Sequence, residues 1–237
     1  MASINTNVGA LVAAQSLSAT GRELSQVQNR VSTGLKVASA KDNGAIYAIA
    51  TNQRANLGAL DATINNLQRQ QSVNDVGLAA GETIIAALTE LKGLAAAIES
   101  GAGDTTAYEA DYDALVTEIG AAITDATFDG TAALTITAAG LALGAGSAAT
   151  EATVQGALDT ALTELQTLGT TSKSLERQVT FNSKLQDALE TGIGNLVDAD
   201  LAKESARLQA LQTKQQLGVQ ALSIANSSSQ VLLGLFR

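Results

Sequence analysis

The chain contains no cysteine, histidine, proline or tryptophan, and only three phenylalanines and three tyrosines in 237 residues. Without cysteine there is no disulfide framework, thiol nucleophile or thiolate metal site. Without histidine there is no Ser-His-Asp or Cys-His catalysis, no imidazole base near neutral pH and no ordinary zinc site. Fourteen basic residues stand against 23 acidic ones, a net charge of −9. So acidic a chain, with so few aromatics, lacks both the basic footprint and the stacking platforms of a nucleic-acid binder.

Two stretches, 130–150 and 215–236, carry no charge. The first holds four glycines and several threonines, the second nine Gln, Ser or Asn residues, so both are too polar for membrane helices. Met1-Ala2-Ser3-Ile4 has no basic region followed by an apolar one, so no cleavable secretory signal is expected. No cofactor, nucleic acid or membrane is expected as a partner.

What is present is a chain that is 46% hydrophobic, much of it alanine. Alanine buries little area, so a core of Ala, Leu, Ile and Val is thin per residue. Such a composition calls for long, closely packed helices or for burial completed by neighbouring chains. The charge is unevenly placed. Residues 1–92 hold seven basic and six acidic residues, 93–172 hold eleven acids and no Lys or Arg, and 173–237 again hold seven basic and six acidic. The mixed ends suit surfaces that approach other protein, and the acidic centre suits a face kept in water.

Apolar spacing is helical and long. Between Ile46 and Ile98, Leu57, Leu60, Ile64 and Leu67 alternate by three and four, as in a coiled-coil seam. Gln71 and Asn74 take core-type positions, and the seam is read as resuming at Leu78, Ile85 and Leu88. A helix over that stretch is ~80 Å long at 1.5 Å per residue. A second long run starts near Glu151 and passes through Val154, Leu158, Ala161, Leu165, Leu168, Ser172, Leu175, Val179, Leu189, Ile193 and Leu196. Tyr108, Tyr112, Leu115, Ile119 and Ala122 predict a third, shorter helix. Phe128-Asp129-Gly130 is a turn signal, and Leu134-Thr135-Ile136-Thr137 and Leu141-Ala142-Leu143 read as the strands of one small hairpin.

The two ends look like partners. Leu17, Leu24 and Val31 fall seven apart, with Val27 between, and so do Leu217, Ile224 and Val231. Leu208, Leu211, Leu222, Ala225 and Leu232 continue the last run. Both ends are rich in Ser, Asn and Gln, and neither has the apolar surface of a stable lone helix. They are expected to be mobile in a monomer and ordered in an assembly.

Candidate chemistry is sparse. The pairs Asp111/Asp113 and Asp198/Asp200 are carboxylate donors of the Ca²⁺ type, but neither fits a twelve-residue calcium loop. Residues two apart on a helix do not face each other. Ser39/Lys41 and Ser172/Lys173 are isolated Ser-Lys pairs. Gly101/Gly103 and Gly144/Gly146 complete no phosphate-binding fingerprint. No enzyme activity is expected.

The terminal segments carry a resemblance. Ile4-Asn5-Thr6-Asn7 and the run Arg30-Val31-Ser32-Thr33-Gly34-Leu35-Lys36-Val37-Ala38-Ser39-Ala40-Lys41-Asp42 resemble the N-terminal signature of bacterial flagellin. Ala225-Asn226 through Gln230, Leu232, Leu233, Leu235 and Arg237 resembles the C-terminal one, with Ser229 where the family often has proline. The likeness covers roughly residues 1–135 and 170–237. It implies a mainly α fold: a long-helix bundle or coiled-coil rod with one small β-hairpin, and N- and C-terminal helices paired as a filament-core coiled coil. The division expected is residues 1–42 as N-terminal core helix and linking turn, 43–195 as helical rod with the hairpin near 128–146, and 196–237 as C-terminal core helix. Only about fifty residues separate the long helices, so a short form without outer domains is expected.

The resemblance further implies a structural subunit that polymerises with itself, alone or mixed with other flagellins, into the extracellular filament of swimming bacteria. Its implied partners are the flagellar export apparatus, an export chaperone, the filament cap and the hook-junction proteins. The runner-up is a hook–filament junction protein, which shares the terminal signatures. Residues implied in the filament core are Asn5, Leu17, Leu24, Val31, Leu222, Ile224, Asn226, Leu232, Leu233 and Leu235. Those implied in the linking turn are Arg30, Gly34, Ser39, Lys41, Asp42 and Gly44, with Gly34 and Gly44 as hinges. Flagellins read by the innate-immune receptor carry a patch of the form Leu-Gln-Arg-x-Arg-Glu-Leu. Here Leu88-Thr89-Glu90-Leu91-Lys92-Gly93-Leu94 stands there, so Glu90 reverses a charge, Gly93 removes an acid, and weak recognition is expected.

Overall fold

The computed structural model describes residues 7–101 and 103–234, with the side chains of 228–234 left out. Five α-helices and one small hairpin follow in order: α1 Val8–Thr33, α2 Gly44–Ser100, α3 Thr105–Asp125, strands β1 Thr127–Phe128 and β2 Thr131–Ala132, α4 Glu151–Val197 and α5 Leu201–Gly234. The mainly helical, coiled-coil class with a single antiparallel hairpin is the one the sequence predicts.

Each helix starts where a short polar side chain meets the orphan N–H groups of the first turn. Asn7 accepts from Ala10 N–H, Asn43 from Ala45 and Ile46, Asp104 from Ala107, Thr150 from Thr153, and Asp200 from Ala202 and Lys203. With no proline to remove a donor, α2 and α4 run 57 and 47 residues without a break. In α5 the helix also passes through Ser229 unbroken.

The chain divides into two compact units, one formed by residues 1–57 with 187–237 and the other by 58–186. In the second unit the seam on α2 differs in detail from its sequence reading. Its buried line runs through Asn74, Gly77, Gly81, Ile84, Leu88, Leu91 and Ala95, while Leu78 and Ile85 sit half-buried beside it. Two successive three-residue steps, Gln71 to Asn74 to Gly77, shift the phase of the line set by Leu60, Ile64 and Leu67, and the three-four alternation then resumes from Gly77. The sequence reading missed it because two seam positions are glycine. Those glycines allow close approach. A Cβ at Gly77 would lie 2.5 Å from the Ala133 carbonyl oxygen, and one at Gly81 would overlap Leu165. Asn74, nearly fully buried, donates to the Leu168 carbonyl at 2.9 Å. On α4, Val154, Ala157, Ala161 and Leu175 are buried.

The core of this unit gathers Ile84, Leu88 and Leu91 of α2, Tyr112 and Ile119 of α3, Leu141 from the following loop and Val154 of α4. Tyr112 is completely buried, and burial, reinforced by the charge of Asp113, pushes its phenol above the usual range.

The hairpin is smaller than predicted and lies earlier. Thr127 pairs with Ala132 and Phe128 with Thr131, so Asp129-Gly130 forms the turn itself, with both residues at positive φ. Residues 134–137 are irregular loop and 141–142 belong to a turn, so neither segment is a strand. Their backbone is held by side chains instead: Glu164 accepts from the Thr135 N–H at 2.8 Å and from its hydroxyl. A short 3₁₀ turn at Gly146–Ala148 follows. Asp113 accepts from the Gly146 N–H at 2.7 Å, and a Cβ there would meet the Glu109 backbone.

Candidate functional site

In the first unit the two chain ends pair. α1 presents a line spaced by three and four: Ala10, Ala13, Leu17, Thr20, Leu24, Val27 and Val31 are its buried or half-buried residues. α5 answers with Leu208, Leu211, Gln215, Gly218, Leu222 and Ala225. Leu24, Val27 and Leu211 form the centre, with Val31 and Leu208 around them. A Cβ at Gly218 would sit 3.2 Å from Leu17, so the missing side chain lets the helices approach. At the far end the Asn7 amide donates to the Ala225 carbonyl at 2.7 Å.

This seam uses only one side of α5. Leu217 and Ile224, seven apart in the sequence, are 59% and 69% exposed, as are Val8, Leu11 and Val12 of α1 to a similar degree. The heptad read as a seam with the other chain end thus points away from it, and the inward line carries the less conspicuous Gln215 and Gly218. Asn226 is exposed. Asn5 and Leu235 lie outside the described residues, and Leu232 and Leu233 belong to α5 but their side chains lie outside the description.

Where α1 gives way to α2, Gly34 takes a left-handed conformation (φ +71°) and closes α1 with an N–H donated to Arg30 carbonyl. Gly44 is different: it is the first residue of α2 and has no positive φ. Between them the Asp42 carboxylate accepts from the Ala38 and Ser39 N–H groups at 3.2 and 3.0 Å and from the Ser39 hydroxyl at 3.1 Å. The backbone and hydroxyl of Ser39 stabilise the ionised form and hold Asp42 below the ordinary carboxylate range.

The turn is pinned to the opposite crossing, between α4 and α5. Lys36 and Val37 N–H groups donate to the Val197 carbonyl at 2.6 and 3.3 Å, and the Ala199 N–H donates to the Gly34 carbonyl at 2.9 Å. Leu35 bridges to Asp198, and Val37 packs with Ala50, Ile193 and Val197. Arg30 pairs with Glu204 at 3.2 Å, with side chains only 23% and 12% exposed. Arg30, Ser39, Lys41 and Asp42 line a common cleft of about 340 Å³. Residues 197–200 and Glu204 were not singled out for this role in the sequence. The available signal was Asp200 as a helix-starting residue before an apolar run, which reads as an acid pair when taken alone.

Of the other candidates, Asp113 holds the 3₁₀ turn while Asp111 is exposed, and no group of three or more potential metal ligands occurs among the described residues. Glu90 and Gly93 both lie exposed on α2. Among the described residues no helix is long and apolar enough to cross a membrane.

Two family models together span nearly the whole chain. The bacterial flagellin N-terminal helical region matches residues 4–139, and the bacterial flagellin C-terminal helical region matches 135–236. The chain is 48% identical over 269 residues to flagellin FljM of Caulobacter vibrioides, covering 99% of this chain and 98% of that one. It is 47% identical to flagellin FljK of the same organism over the same span, and 35% identical to a flagellin of Brucella melitensis over the full length of both. The chain therefore belongs to the bacterial flagellins, self-assembling structural subunits of the flagellar filament and not enzymes.

Proposed function

We propose that the α1–α5 pair is the part of the subunit that builds the inner wall of the filament. The observation that supports this most is the two-sided character of α5. One apolar line is used within the chain, and a second, through Leu217 and Ile224, is left to water in the single chain. Exposed apolar residues in a heptad register are the ordinary means by which helices recruit further helices. Leu17, Leu24, Val31 and Leu222 join the ends to each other, and Ile224 with Asn226 faces neighbouring copies. Asn5, Leu232, Leu233 and Leu235 are assigned to the same wall by the resemblance of the terminal motifs.

The proposed division remains 1–42, 43–195 and 196–237, with the hairpin inside the middle segment. Residues 30–44 then form the joint between wall and middle segment, with Gly34 as its turning point and the Asp42 and Val197 hydrogen bonds as its clamps. The acidic stretch 93–172 meets water wherever no neighbouring copy covers it.

The subunit is exported unfolded, without a cleavable signal, through the flagellar export apparatus. A chaperone holds it beforehand, and it adds under a filament cap to a growing polymer that starts on the hook-junction proteins. A chain free of disulfides and prolines suits that route, since no disulfide must be reshuffled and no prolyl isomerisation delays refolding. Mixed filaments with sister flagellins fit the same surfaces. The exposed Glu90 and Gly93 make the subunit a weak ligand for the innate receptor, so a reporter-cell assay with purified monomer is expected to stay near background.

The experiment for the assembly reading is electron microscopy of purified chain seeded with filament fragments. Long tubes are expected. Stable short rings in their place would transfer the chain to the hook-junction role.

A further inference from the structure

Five cations lie within residues 58–186: Arg69, Lys92, Lys173, Arg177 and Lys184. Lys92 is held by Glu151 at 3.3 Å, and Arg69 approaches Asp129 at 4.0 Å. The other three stand exposed on one helix, α4, and none has an ion-pair partner among the described residues. They fall on one line. Arg177 and Lys184 are seven apart, and Lys173 is one turn before. Between the last two sits Phe181, 65% exposed, in a protein with only three phenylalanines. Arg177, Thr180, Phe181 and Lys184 line a common concavity of about 460 Å³, with Glu176 at its edge. A large aromatic held in water between two cations is the composition of an interface centre with a charged rim.

The same unit carries the complementary pattern. On α3 the residues Ala107, Asp111, Ala114, Glu118, Ala121 and Asp125 alternate strictly by three and four, and every one is exposed. Acids and alanines therefore take turns along one face, with Asp111, Glu118 and Asp125 seven apart. No Lys or Arg lies on α3 or anywhere between 93 and 172. The spacing of the acids equals the Arg177–Lys184 spacing, ~10 Å on a helix. The alanines leave shallow positions between the charges where a ring can sit. Both faces are exposed at once in the single chain, so they do not cover each other within it.

We propose that the Lys173–Arg177–Phe181–Lys184 face of α4 docks on the Asp111–Glu118–Asp125 face of α3 in an adjacent copy of this chain, with Phe181 seated between the acids over Ala114 and Ala121. The proposal rests on the filament reading, because a heterologous contact between unlike faces propagates into a polymer.

The full-length chain supplies the test. Charge reversal on one side (Arg177→Glu with Lys184→Glu) or on the other (Asp111→Lys with Glu118→Lys) is expected to raise the protein left unpolymerised in seeded elongation about tenfold. The quadruple variant, with both faces reversed, is expected to return close to the unsubstituted value. Phe181→Ala raises the soluble fraction as well. Because the chain has no cysteine, Thr180→Cys and Ala121→Cys chains mixed in one preparation report the contact directly. The mixed cross-link is expected, without either homodimer. Polymerisation unaffected by either reversal, a quadruple variant no better than a double one, or cross-links only between like chains would each overturn the proposal. Unsubstituted chain that fails to elongate at all would refute the filament reading instead, and the cross-link between separate chains then still decides whether the faces meet.

Discussion

The two compact units reach burial in different ways. Residues 58–186 bring large side chains from several elements to one place: Ile84, Leu88, Leu91, Tyr112, Ile119, Leu141 and Val154 are all essentially sealed from solvent. The pair α1–α5 in the other unit seals far less. Leu24, Val27 and Leu211 are its buried centre, and Val8, Leu11, Val12, Leu217 and Ile224 remain in water. The core of the first is complete within one chain. The second leaves an apolar face that the proposed filament wall would cover. A long two-helix pair has too little interior to bury more than one stripe of each helix, so whatever apolar surface remains must be covered by other chains.

If that contrast is correct, substitutions in the two regions should separate stability from assembly. The largest effect on stability is expected from Tyr112→Ala. Removing a fully buried aromatic costs about 3–5 kcal/mol, read as a lower midpoint in urea unfolding of the monomer. Ile224→Asp should do the opposite. An exposed site changes monomer stability by within about 0.5 kcal/mol, yet seeded elongation should be lost. A variant that unfolds and still assembles, or one that assembles normally with Asp at 224, would erase the distinction.

A smaller effect is expected at the joint. Gly34→Ala meets no atom within 4 Å, so its cost is conformational, about 1 kcal/mol for a left-handed residue. It should appear as local opening by hydrogen exchange at residues 34–37 before it appears in global unfolding. The smallest is the acid response of Asp42. Its pKa is depressed in the folded chain, so its contribution is present above the ordinary carboxylate value. That contribution is lost as the pH falls below about 4. The protection factor of the Ser39 amide, the ratio of intrinsic to observed exchange, should fall over that range, and Asp42→Asn should abolish that fall.

Much of this was readable in advance. The absence of proline and the three-four spacing announced two very long helices, and Tyr108 to Ala122 announced α3. The terminal motifs placed the joint at Gly34–Asp42. Other features were hidden for identifiable reasons. The α2 seam continues through Gly77 and Gly81, residues that carry no apolar signal and matter because they have no side chain. The hairpin was placed too late because alternation over 134–143 imitates a strand, whereas Asp129-Gly130 is a tight turn that pairs the residues on either side of it. Residues 197–199 gained their role only by exchanging hydrogen bonds with Leu35's neighbours, more than 150 positions away: the Val197 carbonyl accepts and the Ala199 N–H donates.

The sequence by itself determined the helical class, the exclusion of thiol and imidazole chemistry, the three charge blocks and the family, since all of these follow from composition, period and local motif. It could not determine which of two apolar lines on α5 faces α1, because Leu217 and Ile224 are as hydrophobic as Leu211 and Leu222. Only the tertiary structure decided that. Close approach of the two helices favours the line that includes Gly218, and the bulkier line of Leu217 and Ile224 is left exposed.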